Sequence, residues 1–247
     1  MSKVYAAVLA GGVGTRMGNI EKPKQFLDLG GKPVLIHTLE KFTVHPGIDE
    51  VLVLSPAAWV SYTQDIIRKN IPALQNGTAL APVTVLAGGD TRNETVMNAI
   101  RYIEEKGDLD DDTVIVTHDS VRPFVTHRII DDNMRLIADY DACDTVIAAT
   151  DTIVESTDGE IVSLIPDRRH MYQGQTPQTF RAKKLKELYL SLTKEEKEIL
   201  TDACKIMVLK GARVCLVQGE VFNTKITYPY DITVAKALLG LEDGVHA

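Results

Sequence analysis

The 247 residues carry 45% apolar and 25% charged side chains with a formal net charge of −7, enough apolar material for one large domain or a domain with an appendage. An acidic chain without a basic stripe is not built to bind nucleic acid, so its local cations point to a confined anion pocket. Three cysteines, Cys143, Cys204 and Cys215, are odd in number and lack metal-ligand spacing, which predicts reduced thiols in a cytoplasmic protein. No apolar run is long enough to insert in a membrane, and the N-terminal one is too short for a signal peptide.

Along the chain, apolar runs predict strands at Val4–Leu9, Val51–Leu54, Val83–Leu86, Thr113–Thr117 and Thr145–Ala149. Helical patterns lie between them at Val34–Thr43, Ala57–Asn70, Thr95–Lys106 and Arg128–Tyr140. Continuous apolar strands alternating with helices predict an α/β, Rossmann-like, mostly parallel sheet with helices on both faces. The alternation breaks near Asp151. Thr152–Val154 and Glu160–Ile165 read as short strands around a Thr157-Asp158-Gly159 turn, a hairpin that would project as an arm over about residues 151–172. A charged helix over Lys183–Leu200, a helix at Ala203–Leu209, a strand at Val214–Val217 and a helix at about Ile232–Leu239 follow. No linker interrupts the chain, so residues 1–240 read as one domain and 241–247 as a frayed tail.

Ligands of such sheets bind beyond the carboxyl ends of the strands, and three notable loops fall there. The first, Leu9-Ala10-Gly11-Gly12-Val13-Gly14-Thr15-Arg16-Met17-Gly18, is followed by Pro23-Lys24-Gln25. Its glycines let backbone N–H groups approach a ligand, and the two cations behind them suit a polyphosphate. A dinucleotide fingerprint would need glycine where Met17 stands, and a phosphate loop of the Walker type fails at Pro33 and Phe26. The plain alternative is a tight strand-to-helix turn with Arg16 and Lys24 in solvent.

The second loop, Gly88-Gly89-Asp90-Thr91-Arg92-Asn93-Glu94-Thr95, could read a planar base with backbone groups. Thr95 could donate to a phosphate or ribose oxygen, and Asp90, Asn93 or Thr95 could equally cap a helix. The third, His118-Asp119-Ser120-Val121-Arg122-Pro123-Phe124, places a carboxylate where Mg²⁺ would be held against a triphosphate. A local Asp119–Arg122 salt bridge is the alternative, and His118 is a base or a structural histidine. Thr201-Asp202 reads as a helix N-cap. Lys225, in the alternating run Asn223-Thr224-Lys225-Ile226-Thr227, reads as a strand lysine needing an anionic partner.

Together these blocks resemble the cytidylyltransferases of sugar-alcohol phosphates, the group that acts on 2-C-methyl-D-erythritol 4-phosphate or D-ribitol 5-phosphate. The resemblance runs from Val4 to about Leu239. It is carried by the opening glycine loop, Pro23-Lys24-Gln25, His118-Asp119-x-x-Arg122-Pro123, Gln175-Thr176-Pro177-Gln178 and Lys225-Ile226-Thr227. The wording is closer to the ribitol-phosphate enzymes. Ser120-Val121 stands where the methylerythritol enzymes usually have Ala-Ala, Tyr172 lies near where they usually have Trp, and Asp202-Ala203-Cys204 replaces Asp-Glu-Ala or similar. The closing Lys225, Thr227, Pro229 and Asp231 hold, with Tyr230 in place of a common acidic residue.

The resemblance implies a nucleotidyltransferase fold, similar to glycosyltransferase A, and transfer of a cytidylyl group from CTP to D-ribitol 5-phosphate, giving CDP-ribitol for teichoic acid or capsule synthesis. The methylerythritol acceptor of isoprenoid synthesis is the alternative. It further implies catalytic Arg16, Lys24 and Lys225. Leu9, Ala10, Gly11, Gly12, Gly14, Gly89, Asp90, Arg92 and Thr95 would bind CTP, and Arg122, Arg168, Thr176 and Thr201 the acceptor's phosphate. Asp119 would hold Mg²⁺ or another divalent cation. The implied partners are a second copy joined through the hairpin arm and a ribulose-5-phosphate reductase.

Overall fold

The computed structural model describes residues 2–12, 17 and 22–242. Its centre is a seven-stranded sheet built from β1 (Val4–Leu9), β4 (Glu50–Ser55), β5 (Val83–Ala87), β6 (Val114–Asp119), β7 (Ala142–Ala148), β8 (Tyr172–Arg181) and β9 (Val214–Gln218), in the order β5-β4-β1-β6-β8-β7-β9. A separate two-stranded hairpin, β2 (Asp28–Leu29) with β3 (Lys32–Pro33), precedes α1 (Val34–Thr43). Every pairing in the large sheet is parallel except those of β8, which runs antiparallel to β6 and β7.

Alternation along the strands divides the core. Ala6 and Val8 of β1 face one side with Val51, Val53, Val114 and Val116, under α1, α2 (Val60–Asn70), the short α3 (Pro72–Gln75) and α5 (His127–Leu136). Tyr5, Ala7 and Leu9 face the other with Leu52, Leu54 and Ile115, under α4 (Arg92–Glu105), α6 (Ala182–Leu190) and α8 (Ala203–Leu209). Both faces are covered, so the strands read as continuous apolar runs. Their carboxyl ends converge: Leu9 pairs with Asp119 in register. No helix among the described residues is long and apolar enough to cross a membrane.

Several elements differ from the sequence expectation. β8 has no apolar alternation, and Pro177 within it argues against a central strand. The sheet tolerates the proline because it lies just past the last β6–β8 pair, Thr117↔Gln178, and inside the register shift of the β7–β8 pairing. The expected helix Lys183–Leu200 is two, because Thr193 opens α7 (Lys194–Glu198) with a capping box to Glu196. Helix α4 begins at Arg92, capped by Thr91 with Glu94 rather than by Asp90, Asn93 or Thr95. The last helix, α9 (Pro229–Glu242), starts earlier than expected, on a proline whose fixed φ suits a first turn, and carries residues 241 and 242, which were expected to fray. The strands expected at Thr152–Val154 and Glu160–Ile165 are reduced to one antiparallel bridge, Glu155↔Leu164. Its turn is closed by Asp158, which accepts from the Glu160 and Ile161 amides, with Gly159 at φ +79°. Two short strands alone bury too little to make a ladder.

Candidate active site

Strand β6 ends in Thr117-His118-Asp119, and the following turn folds back so that the Arg122 amide donates to the Asp119 carbonyl at 3.0 Å. This delivers a carboxylate to the sheet's carboxyl edge among three cations. Arg92 pairs with Asp119 Oδ1, the Lys225 ammonium lies 3.0 Å from Oδ2, and Arg122 Nε lies 3.5 Å from Oδ2. Burial alone would raise the Asp119 carboxyl, but Arg92, Lys225 and Arg122 overcome it and hold it well below the usual carboxylate range. Burial likewise works against the Arg92 charge, and Asp119 more than offsets it. Arg122 stays lowered, because burial outweighs the same carboxylate.

Lys225 reaches this carboxylate from an irregular loop, not the expected strand, and its side chain is 38% exposed. Three contacts fix the loop. The Ile226 amide donates to the Val121 carbonyl at 2.9 Å, Lys24 Nζ donates to the Ile226 carbonyl at 2.8 Å, and Asp231 accepts from the Thr227 and Tyr228 amides at 2.7 and 2.8 Å. Lys24 itself sits on a short 3₁₀ turn, Lys24–Phe26, whose Gln25 donates to the Ala10 carbonyl at 2.6 Å. The block Pro23-Lys24-Gln25 thus joins the first glycine loop to the Lys225 loop.

A cavity of about 480 Å³ opens over these groups. Leu9, Gly11 and Gly12 form one wall, Gly89, Asp90, Thr91, Arg92 and Thr95 another, and Lys24, Asp119 and Lys225 lie between. The second loop is tightly built: Thr95 Oγ1 accepts from the Gly89 amide at 3.0 Å and donates to the Thr91 carbonyl at 2.8 Å. A Cβ on Gly89 would lie 2.5 Å from Glu94 Cβ and 2.9 Å from the Glu94 carbonyl carbon, so only glycine fits against the start of α4. Backbone groups and three ammonium or guanidinium groups facing an open cavity form an anion-binding surface.

Of the residues expected from sequence, ten line this cavity: Lys24, Lys225, Leu9, Gly11, Gly12, Gly89, Asp90, Arg92, Thr95 and Asp119. Ala10 is buried beside it, its carbonyl taken by Gln25. Gly14 and Arg16 lie outside the described residues. Four expected phosphate contacts are not among the residues that line it. Arg122 is buried and donates to the Asn223 carbonyl at 2.8 Å. Thr176 is buried beneath Asp119, its hydroxyl accepting from the Asp119 amide at 3.1 Å. Arg168 is exposed and donates to the Thr150 carbonyl at 2.6 Å. Thr201 is exposed before Asp202, which caps α8 by accepting from the Lys205 amide at 3.0 Å. Sequence reasoning gave no role to Thr91, Ser120, Val121 or Thr227, which also line the cavity.

Both Asp119 oxygens face cations, and among the described residues no three His, Cys, Asp or Glu side chains gather to hold a metal ion, so a Mg²⁺ on Asp119 would draw its other oxygens from phosphates or water. The carboxylate orients and neutralises Arg92, Arg122 and Lys225.

Known proteins share this arrangement of sheet and loops. Residues 4–241 match the family model of IspD, 2-C-methyl-D-erythritol 4-phosphate cytidylyltransferase. The 4-diphosphocytidyl-2C-methyl-D-erythritol synthase of Anaerococcus prevotii superposes with a TM-score of 0.77 at 25% identity, over 97% of this chain and 99% of that one. The 2-C-methyl-D-erythritol 4-phosphate cytidylyltransferase of Francisella tularensis gives 0.76 at 26% identity, over 96% and 99%. That of Thermus thermophilus gives 0.68 at 27%, over 96% and 98%. The chain belongs to the IspD family of CTP-dependent cytidylyltransferases, and is an enzyme of the nucleotidyltransferase class.

Proposed function

We propose that this enzyme transfers the cytidylyl group of CTP to the phosphate of a small polyol phosphate. The observation that carries the reading is the convergence of Lys24, Arg92 and Lys225 on one glycine-walled cavity around Asp119. An acceptor phosphate oxygen attacks the α-phosphorus of CTP. A new P–O bond forms there as the bond to the β-phosphate oxygen breaks, and pyrophosphate departs. The acceptor phosphate is already ionised near neutral pH, so no general base is needed. The obstacle is repulsion between two polyanions, and positioned cations overcome it.

Lys24, with Arg16, stabilises the α-phosphoryl group and the leaving pyrophosphate. The Gly11, Gly12 and Gly14 amides wrap the triphosphate. Gly89, Asp90 and Thr95 frame the cytidine, with Arg92 beside them. Lys225 faces the reacting phosphates. Asp119 would hold a divalent cation brought with CTP, which would neutralise phosphate charge there; one carboxylate suits an ion that keeps few protein ligands.

Two acceptors stand on different observations. The names of the similar structures favour 2-C-methyl-D-erythritol 4-phosphate. D-Ribitol 5-phosphate is supported by the residues that depart from the methylerythritol pattern, two of which, Ser120 and Val121, line the cavity. We take ribitol 5-phosphate as the acceptor and CDP-ribitol, for teichoic acid or capsule synthesis, as the product. On that reading a ribulose-5-phosphate reductase supplies the acceptor. Incubation with CTP and each polyol phosphate in turn, reading pyrophosphate release, separates the two.

The arm supports a second part of the proposal. Val154, Ile161, Val162, Leu164, Ile165 and Tyr172 are all at least half exposed, an apolar surface that a second copy of the chain would cover. Paired in this way, the arm brings Arg168 toward an acceptor phosphate in the partner's cavity. Sedimentation of the wild type against Ile161→Asp with Ile165→Asp tests it. A monomeric wild type removes the dimer.

A further inference from the structure

Thr176 is only 3% exposed and His118 is fully buried, and the two are in polar contact behind Asp119. His118 Nε2 lies 3.1 Å from the Arg122 carbonyl oxygen, and Nδ1 lies 3.0 Å from Thr176 Oγ1. A carbonyl only accepts, so Nε2 carries the proton. In a neutral ring Nδ1 is then a bare acceptor. The ring is fully buried and neither nitrogen is bonded to a carboxylate, which keeps it neutral. The one hydroxyl hydrogen of Thr176 is therefore committed to Nδ1, while its oxygen accepts the Asp119 amide at 3.1 Å. A phosphate needs a donor, and this hydroxyl has none left to offer.

The chain of contacts leads to the cations. The Asp119 amide is held by Thr176, and the Arg122 carbonyl at the other end of the turn is held by His118. Asn223 Nδ2 donates to the Thr176 carbonyl at 2.9 Å, which ties the Lys225 loop to the same strand. Moving the Thr176 hydroxyl moves the carboxylate on which Arg92 and Lys225 converge.

Resting on the cytidylyl-transfer reading, we propose that Thr176 is a positioning residue rather than a contact of the acceptor's phosphate. Its hydroxyl, oriented by His118, sets the place of Asp119 and through it the alignment of Arg92 and Lys225.

The test compares Thr176→Val, Thr176→Ser, His118→Asn and the double variant Thr176→Val/His118→Asn, with pyrophosphate release resolved into kcat and KM for CTP and for the polyol phosphate. Thr176→Val should lose about 10- to 100-fold in kcat, the scale of a sub-ångström to ångström misplacement, with acceptor KM within about threefold. Thr176→Ser keeps the hydroxyl and should recover most of the rate. The double variant should be no worse than the poorer single one, because both remove the same relay. Long-range ¹⁵N correlation on the wild type should show His118 protonated at Nε2 and bare at Nδ1. That readout needs neither turnover nor a folded variant. An acceptor KM raised tenfold or more at unchanged kcat in Thr176→Val, or a proton on Nδ1 in the wild type, overturns the proposal. If the wild type releases no pyrophosphate with any acceptor, the cytidylyl-transfer reading has failed, and the imidazole spectrum still decides the hydrogen-bond relay.

Discussion

The Lys225 ammonium and the Asp119 carboxylate, 3.0 Å apart, join the end of β6 to a loop that follows β9. Neither residue has its place without the other's element: the turn after Asp119 docks the loop through Val121 and Ile226, and the loop returns the cation. Asp119 is also the shared counterion of Arg92 and Arg122. Asp119→Asn should therefore leave Arg122 and the partly buried Arg92 uncompensated and cost about 3–5 kcal/mol of stability, the range for breaking one partner of a buried pair. Urea unfolding measures it. A loss below about 1 kcal/mol, the size of an exposed pair, would show that Asp119 is not the anchor of the cluster.

Lys24 has a second use besides charge, since its Nζ donates to the Ile226 carbonyl. Losing that bond costs about 1 kcal/mol, whereas losing a donor at the developing charge costs about 10²–10³ in kcat. Lys24→Ala should accordingly be crippled in turnover and close to the wild type in unfolding midpoint. Initial rates at saturating CTP and a thermal melt check both halves. Turnover near that of the wild type removes Lys24 from the mechanism.

Gly89→Ala should damage CTP binding before it damages the acceptor site. The added Cβ meets Glu94 Cβ and carbonyl carbon, and overpacking of this kind costs about 1–3 kcal/mol. The strain falls on the start of α4, where Thr95 holds the Gly89 amide. Calorimetric titration with CTP should show affinity weakened by about tenfold, equivalent to about 1.4 kcal/mol, and an unchanged affinity contradicts the role given to this loop.

Two buried groups give stability opposite pH slopes on the acid side. His118 is lowered to about 4 by burial, so between its ordinary value near 6.5 and 4 the unfolded chain takes up a proton that the native one refuses. Stability falls with pH across that window, by about 3 kcal/mol in all. Asp144 is raised to about 6, by burial first and by the neighbouring Asp202. Between about 6 and 4 the native state binds that proton first, and stability rises as pH falls. His118→Asn removes only the first slope. Its deficit relative to the wild type should shrink by a few kcal/mol between pH 7 and pH 4, measured by urea unfolding at several pH values. A deficit independent of pH means that His118 is not buried neutral.

The parallel core was legible because strands covered on both faces are written as apolar runs, such as Val51–Leu54 and Val4–Leu9. Strand β8 was not, because its Gln175, Thr176 and Gln178 are placed by buried side-chain hydrogen bonds rather than by apolar alternation. The cavity's lining was legible where chemistry shows in residue type: glycine at Gly11, Gly12 and Gly89, cations at Lys24, Arg92 and Lys225. Roles were less so. Whether Asp119 and Thr176 face a ligand or a buried neighbour is not written in residue type, since a carboxylate and a hydroxyl look the same in a sequence in either setting. Their partners come from β8, α4 and the Lys225 loop, and only folding brings those together.

The proposed reaction brings CTP and a polyol phosphate together in the cationic cavity, and pyrophosphate release with each nucleoside triphosphate against each polyol phosphate measures it. Release with CTP and D-ribitol 5-phosphate should run at least about tenfold faster than with any other pairing, a gap of about 1.4 kcal/mol in the transition state. A preference for 2-C-methyl-D-erythritol 4-phosphate would overturn the acceptor alone, and no release from CTP with either acceptor would overturn cytidylyl transfer itself.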